Sequence, residues 1–300
     1  MLKISWSDLY VHPLPSGHRF PMEKYVLIPE QLLYEGTIQA SNLFTPSAVN
    51  EETILLTHTL EYWQKLKTLS LSKREIRKTG FPLSERLVRR ECHINQGTID
   101  AALYAFEYGV AMNVAGGTHH AYTDHGEGFC LMNDFAMAAN YLLHHQLAQQ
   151  ILIVDLDVHQ GNGTAEIFQH NSKVFTFSMH CEANYPLHKE KSDLDIGLPP
   201  GTGDAVFLHQ LYHTLPRLID EVQPDCIFYL SGVDIVHTDK LGRLACTREG
   251  CRQRDEFVLS LCKENNIPLT IAMGGGYSYH IRDIVEAHCN TFRLAQEIWF

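Results

Sequence analysis

The sequence predicts an α/β fold with a central, mostly parallel sheet and helices on both faces. Three observations predict it. Short apolar runs alternate with helical stretches of ten or more residues through the second half of the chain, which is the rhythm of βαβ units. Most of those runs end in polar or glycine-rich residues, as the strands of an open parallel sheet do where they present a ligand site. The composition is that of an ordinary globular chain, 45% hydrophobic and 20% charged over 300 residues, enough to bury a sizeable core. No repeat, low-complexity tract or linker interrupts it, so residues 1–300 read as one domain.

The elements follow in order. The first half is mostly helical, with 51–69 and 98–113 the clearest helices. Residues 136–148 read as a helix, 150–156 as a strand, 164–170 as a short helix and 173–178 as a strand. A long polar loop, HCEANYPLHKEKSDLDIGLPPGTGD, comes next. Then come a helix over 205–222, with a disturbance expected at Pro216, a strand over 225–230, a helix over 247–265, a strand over 268–273 and a final helix over 279–299.

Charge and leader composition exclude several classes. Lys and Arg number 24 against 35 Asp and Glu, a net charge of −11, which argues against holding nucleic acid by overall charge. A basic protein or peptide is still an admissible partner. The first residues, MLKISWSDLY, lack the apolar run of a signal peptide, and no segment is long enough to span a membrane. The expected location is therefore cytoplasmic. The eight cysteines are scattered without a CxxC pair and are expected to be reduced thiols. Eighteen histidines are too many for any one to carry weight outside a constellation.

The constellations lie at strand ends. In ILIVDLDVHQGNG, residues 151–163, Asp155, Asp157 and His159 stand at alternate positions behind an apolar run. Side chains on one face of a strand recur roughly every 7 Å. Asp157 and His159 are thus placed to share one ion where the strand opens out, while Asp155 lies deeper and needs a histidine or a second cation. The strand end SGVD adds Asp234. Two carboxylates and one imidazole suit Zn²⁺ or Fe²⁺, with a position left open for water. In AGGTHHAYTDHGEGFCLMND, His119 and His120 stand side by side, one a candidate general base and the other a carrier of charge. Their nearest unassigned polar partners are Asp155 and Asn162. In MGGGYSYH, Tyr277 follows three glycines and is placed to donate to a developing oxyanion. The absence of a following Lys-Ser/Thr argues against a phosphate loop.

GGTHHA, GFCLMND, DLDVHQGNGT, SGVD and GGGY, in this order and at these separations, resemble the zinc-dependent histone deacetylase family. HPLPSGHRFPMEKY and LLTHTLEYW resemble its N-terminal segments, so the likeness spans nearly the whole chain. Gln160 and Asn162 place it nearer the class IV and bacterial branch than class I, which carries His and Asp there. The resemblance implies an arginase–deacetylase-type fold, Asp157, His159 and Asp234 as zinc ligands, and His120 as the general base. It sets Asp155 behind His119 and Asn162 behind His120, and makes Tyr277 the carbonyl-polarising tyrosine. It implies an acyl-lysine tunnel walled by Phe129 and Tyr185, with Gly128, Leu241 and Gly275 around it. It implies a structural K⁺ held by Asp155, Asp157, His159, Ser178 and Met179, and an arginine behind the site at Arg19. The expected activity is removal of acyl groups, acetyl first, from lysine in proteins or peptides. The alternatives are a deacetylase of small acetylated amines and a two-manganese ureohydrolase. The first carries an acidic gatekeeper where this chain has Leu241, and the second needs more bridging carboxylates than Asp234-Ile235-Val236-His237 offers. A silent acyl-lysine binder is disfavoured by the intact His119, His120 and Tyr277.

Overall fold

A computed structural model describes residues 1–300. Its elements run β1 (Lys3–Ser5), α1 (Lys24–Tyr34), β2 (Leu43–Phe44), α2 (Glu51–Ile54), α3 (Leu60–Lys67), α4 (Lys73–Thr79), α5 (Glu85–Tyr108), β3 (Val110–Asn113), α6 (Asp134–His144), β4 (Ile151–Asp155), α7 (Asn162–Phe168), β5 (Val174–Cys181), β6 (Leu194–Leu198), α8 (Asp204–Val222), β7 (Cys226–Leu230), α9 (Arg248–Glu264), β8 (Leu269–Ala272) and α10 (Ile281–Trp299). The strands form one sheet in the order β2-β1-β3-β8-β7-β4-β5-β6. Every pairing is parallel.

The central strands are apolar because both faces are covered. All residues of β3, β4, β7 and β8 are buried, and most of their apolar side chains belong to one core cluster of 80 residues together with faces of α5, α6, α9 and α10. A parallel sheet buried on both sides needs such near-continuous hydrophobic runs. The edge strand β6 is only half-buried. No helix is long and apolar enough to cross a membrane, and all eight cysteines are free and buried.

The second-half elements lie where the sequence puts them to within a few residues, and α8 continues through Pro216. Three expectations need correction. Residues 51–69 form two helices, because Thr59 ends the run by accepting from Tyr62 N as an N-cap while its own N–H bonds Thr123 O. The helix expected over 98–113 begins earlier, where Ser84 caps Leu87 N, and ends at Gly109 with φ +88°. The remainder, 110–113, is β3. The loop after β5 contains β6, whose short sequence LDIGL becomes a strand only by pairing with β5.

The order of the strands makes the site. β7 and β8 return to the centre of the sheet, between β3 and β4. The loops leaving β3, β8, β7 and β4 therefore meet at the carboxyl ends of four neighbouring strands, the position where open α/β sheets bind ligands.

Candidate active site

β4 ends at Asp155, and the chain then turns through Asp157 and His159. β7 ends at Leu230, and Ser231-Gly232-Val233 carries Asp234 across to them. The His159 Nδ1 lies 2.9 Å from Asp157 Oδ1 and 3.2 Å from Asp234 Oδ2. One donor atom from each of the three residues falls within 4.8 Å of the others. All three residues are buried, Asp234 completely. Asp234 Oδ2 has no well-aligned hydrogen bond, its nearest donor being the His159 Nδ1 that Asp157 already engages, and a buried carboxylate oxygen so placed is costly. Burial and the neighbouring Asp157 push the Asp234 carboxyl up to about 7. Two carboxylates crowded against one imidazole, with an orphan oxygen between them, fit a divalent cation, which relieves both costs.

The backbone around this cluster is tightly held. Asp234 Oδ1 accepts from Val158 N at 3.0 Å, and Asp157 Oδ2 accepts from Gly275 N at 2.9 Å. A Cβ on Gly275 would sit 2.0 Å from Asp234 Oδ2, and one on Gly232 would sit 2.3 Å from Asp157 Oδ2. Only glycine lets both loops approach so closely. Beneath them the buried Arg254 donates to Gly232 O at 2.6 Å, to Leu156 O at 3.3 Å and to Ser231 O at 3.3 Å, joining the carboxyl ends of β4 and β7. Asp255 balances its charge.

The loop leaving β3 carries the paired histidines. Asp134, at the start of α6, accepts from Gly117 N, Thr118 N and the Thr98 and Thr118 hydroxyls, so the loop is anchored just before His119. His119 Nδ1 lies 2.6 Å from Asp155 Oδ2. His120 Nδ1 lies 2.6 Å from Asn162 Oδ1. Burial would lower His119, but the charge and hydrogen bond of Asp155 outweigh it and raise its pKa. His120 faces an amide in place of a carboxylate. Burial and the charges of His119 and His159 hold it well below the ordinary range. Two adjacent imidazoles are thus driven apart, one to keep its proton and one to stay neutral.

Tyr277 leaves the glycine loop after β8. Its N–H donates to Asp239 Oδ2 at 2.5 Å, while Asp239 Oδ1 accepts from Leu241 N and Gly242 N, both at 2.8 Å. One carboxylate thereby positions Tyr277 and the Leu241 turn together. Burial, then the nearby Asp234 and Asp157, push the phenol well above its ordinary pKa, so it remains a donor. Lys24 lies under this loop, fully buried, donating to Gly274 O at 2.9 Å. Burial pushes its ammonium down to about 8 against the pull of Asp234 and Asp157.

His119, His120, Asp157, His159 and Tyr277 line a cavity of about 320 Å³. Gly128, Phe129, Tyr185, Leu241 and Gly275 all line it, which brings together every residue expected of a tunnel. Phe129 holds a left-handed φ of +69°, a costly conformation for a side chain of its size, and the turn is pinned by Gly128 N and Phe129 N bonding Lys78 O and Thr79 O. The Phe129 ring lies between Phe20, 5.3 Å away, and Tyr277, 5.9 Å away. Tyr185 packs its ring edge-on to His120 at 4.9 Å. Arg19 also lines the cavity, with its guanidinium 5.0 Å over the Phe129 ring. Ser178 pairs with Asp155 across β4 and β5, and the Met179 backbone follows it.

Five residues in or behind this site were given no role in the sequence reading: Lys24, Glu127, Asp134, Asp239 and Arg254. Asp134 and Asp239 carried a faint signal, as short polar groups at a helix start and in a turn. Arg254 looks like a helix-surface residue, and Glu127 like part of a Gly-Glu-Gly turn.

The chain matches the family model described as "Histone deacetylase domain" over residues 18–292. It is 44% identical over 290 residues to an uncharacterized protein of Picosynechococcus sp., covering 97% of both chains. It is 30% identical to the acetoin utilization protein AcuC of Staphylococcus aureus over 89% of this chain and 74% of that one. It is 28% identical to histone deacetylase 2 of Arabidopsis thaliana over 87% and 70%. Among solved structures, a crystal structure of an HDAC homolog complexed with SAHA superposes with a TM-score of 0.85 at 23% identity, covering 99% of this chain and 84% of that one. The HDA15 HD domain superposes at 0.84 and 21%, over 99% and 88%. At these identities the two structures speak to the fold.

Proposed function

This chain belongs to the histone deacetylase family, and from that premise we propose that it is a zinc-dependent deacylase of lysine side chains in proteins or peptides, with acetyl the expected group. As a member of that family it is a hydrolase of amide bonds and carries a catalytic metal site. The observation that carries the finer reading is the convergence of Asp157, His159 and Asp234, with an orphan carboxylate oxygen, beside two histidines backed one by a carboxylate, Asp155, and the other by an amide, Asn162.

Asp157, His159 and Asp234 would hold one ion, Zn²⁺ for preference and Fe²⁺ otherwise. When bound, it supplies a Lewis acid that acidifies water and polarises an acyl carbonyl. The remaining work falls to the chain. His120, donating from Nδ1 to Asn162, keeps the lone pair of Nε2 and takes the proton of the attacking water. His119 keeps its proton and holds positive charge beside the reacting carbon. Tyr277 donates to the carbonyl oxygen as negative charge collects there. The C–N bond then breaks, the amine leaves with a proton from the histidine pair, and the acyl group departs as a carboxylate. A K⁺ ion held by Asp155, Asp157, His159, Ser178 and Met179 would neutralise the buried Asp155; the pairing of Asp155 with Ser178 on adjacent strands supports this.

Two features favour acyl-lysine over a polycationic amine. Leu241 is neutral where a gatekeeper acid would stand, and Asp239 nearby is turned inward to three backbone N–H groups. Against a two-manganese site, the residues after Asp234 are Ile235, Val236 and an exposed His237, and the structure gathers one three-donor cluster. The test is to measure bound metal per chain and turnover on acetyl-lysine peptide, longer acyl-lysine peptides and acetylpolyamine. One zinc with preferential turnover of acyl-lysine peptide supports the reading. Two equivalent catalytic ions, or turnover confined to acetylpolyamine, overturns it.

A further inference from the structure

Asn162 stands where a carboxylate would be expected behind the general base, and a neutral amide has two ways round. If its NH₂ faced His120, the ring nitrogen Nδ1 would be an acceptor, the proton would sit on Nε2, and His120 could not take a proton from water. The orientation of one amide therefore decides whether the base works.

The structure supplies what orients it. Asn162 Nδ2 is 2.6 Å from Glu127 Oε1 and 3.0 Å from the Tyr122 hydroxyl. An ionised carboxylate only accepts, so the group facing Glu127 must be the NH₂ and the group facing His120 must be the carbonyl. Glu127 is itself buried. Burial would raise its pKa, but the Lys78 ammonium and the Asn162 amide beside it outweigh burial and lower it. Lys78 Nζ meets Glu127 Oε2 at 2.5 Å, so the carboxylate is paired from the solvent side and bonded to Asn162 from the inside. Tyr122, the second acceptor, donates its own hydroxyl hydrogen bond to Glu190 Oε1 at 3.1 Å. Both amide protons of Asn162 and its oxygen thus have partners, with no donor or acceptor left over.

We propose that Glu127 is a positioning residue for catalysis: it locks the Asn162 amide with its carbonyl towards His120 and so fixes His120 as the Nδ1–H tautomer, the form able to act as base. This rests on the reading of His120 as the general base.

The test exchanges amide and acid. Glu127→Gln removes the obligatory acceptor and should lower kcat about tenfold, within the range of outer-shell contacts, with KM changed much less. Asn162→Asp alone sets a second carboxylate against Glu127 and should also lower kcat. The double variant Glu127→Gln/Asn162→Asp restores an ordered chain: the new amide at position 127 donates to the new carboxylate at position 162, which accepts from His120. It should regain kcat to within about threefold of wild type, a coupling that a double-mutant cycle reads directly. A purely structural Glu127 would make the two losses multiply. Alongside, the imidazole ¹⁵N spectrum of the metal-loaded wild-type enzyme should show His120 protonated at Nδ1, a readout that needs no substrate and no folded variant. Wild-type kcat in Glu127→Gln, multiplying losses in the double variant, or an Nε2-protonated His120 would each overturn the proposal. A wild type inactive on every acyl-lysine substrate would instead overturn the functional reading, and the tautomer measurement would still decide the role of Glu127.

Discussion

Gly275→Ala should strip the metal from a protein that still folds. The added Cβ would lie 2.0 Å from Asp234 Oδ2 and 2.7 Å from Asp157 Oδ2. Cβ atoms are not found closer than 3.0 Å to such neighbours, so the Asp234 oxygen must retreat by about 1 Å. Metal–ligand distances tolerate only about 0.2 Å, so the retreat removes the ligand outright. Asp234 cannot simply swing aside, because its other oxygen is tied to Val158 N. Changes in groups that merely support ligands cost about 10- to 100-fold in metal affinity. Displacing a ligand should therefore cost at least about 100-fold, or about 2.7 kcal/mol. Gly275 does not occupy the left-handed region, so the alanine brings no backbone strain and the fold should persist. Chelator competition measures the affinity, and circular dichroism with thermal unfolding checks the fold. A folded Gly275→Ala protein with wild-type zinc affinity would refute the placement of the ion between Asp234 and Asp157.

The other predictions concern the chain's own chemistry. Tyr277→Phe should lower turnover on an acyl-lysine peptide by about 10²–10³ with peptide affinity changed much less, because the hydroxyl matters when charge builds on the oxygen; unchanged turnover would remove Tyr277 from the mechanism. His120→Ala should cost about 10²–10⁴ in kcat and keep its zinc, while Asn162→Ala should cost about 10- to 100-fold; steady-state kinetics and metal analysis in which Asn162→Ala is the worse of the two would reverse their roles. The pH profile follows from the opposed histidines. His120 acts when neutral and its pKa is lowered, so the acid limb of kcat/KM should fall below 6.5, the ordinary value. His119 acts when protonated and its pKa is raised, so the alkaline limb should fall above 6.5. An acid limb centred above that value would place the base elsewhere. Asp157→Ala should leave two donors and abolish activity; a fully active variant would dissolve the proposed zinc site.

Much of this was legible in the sequence because it is written at short range. The apolar runs of β4, β7 and β8 mark strands buried on both faces, and DLDVH offers Asp157 and His159 together, although the bend that follows β4 at Asp155, and not a strand period, brings them within 2.9 Å of each other. The order of the motifs pointed to Asp234, His119, His120 and Tyr277 as members of one site, and the cavity holds or adjoins each of them. Tertiary structure decided the rest. Residues 51–69 have no glycine or proline to announce a break, and the break at Thr59 is held by a distant carbonyl, Thr123 O. β6, LDIGL, carries Asp195 and Gly197 and is half-exposed, so it does not read as a strand until β5 pairs with it. Glu127 sits in what looks like a glycine turn, yet it lies against Asn162, Lys78 and Tyr185. Arg254, to all appearance a helix-surface cation, is buried to bind the carbonyls at the strand ends. Hydrophobic periodicity depends on neighbours a few residues away, so a sequence states it outright. Which buried charge meets which partner depends on where the sheet order brings distant loops together, and only the folded chain contains that information.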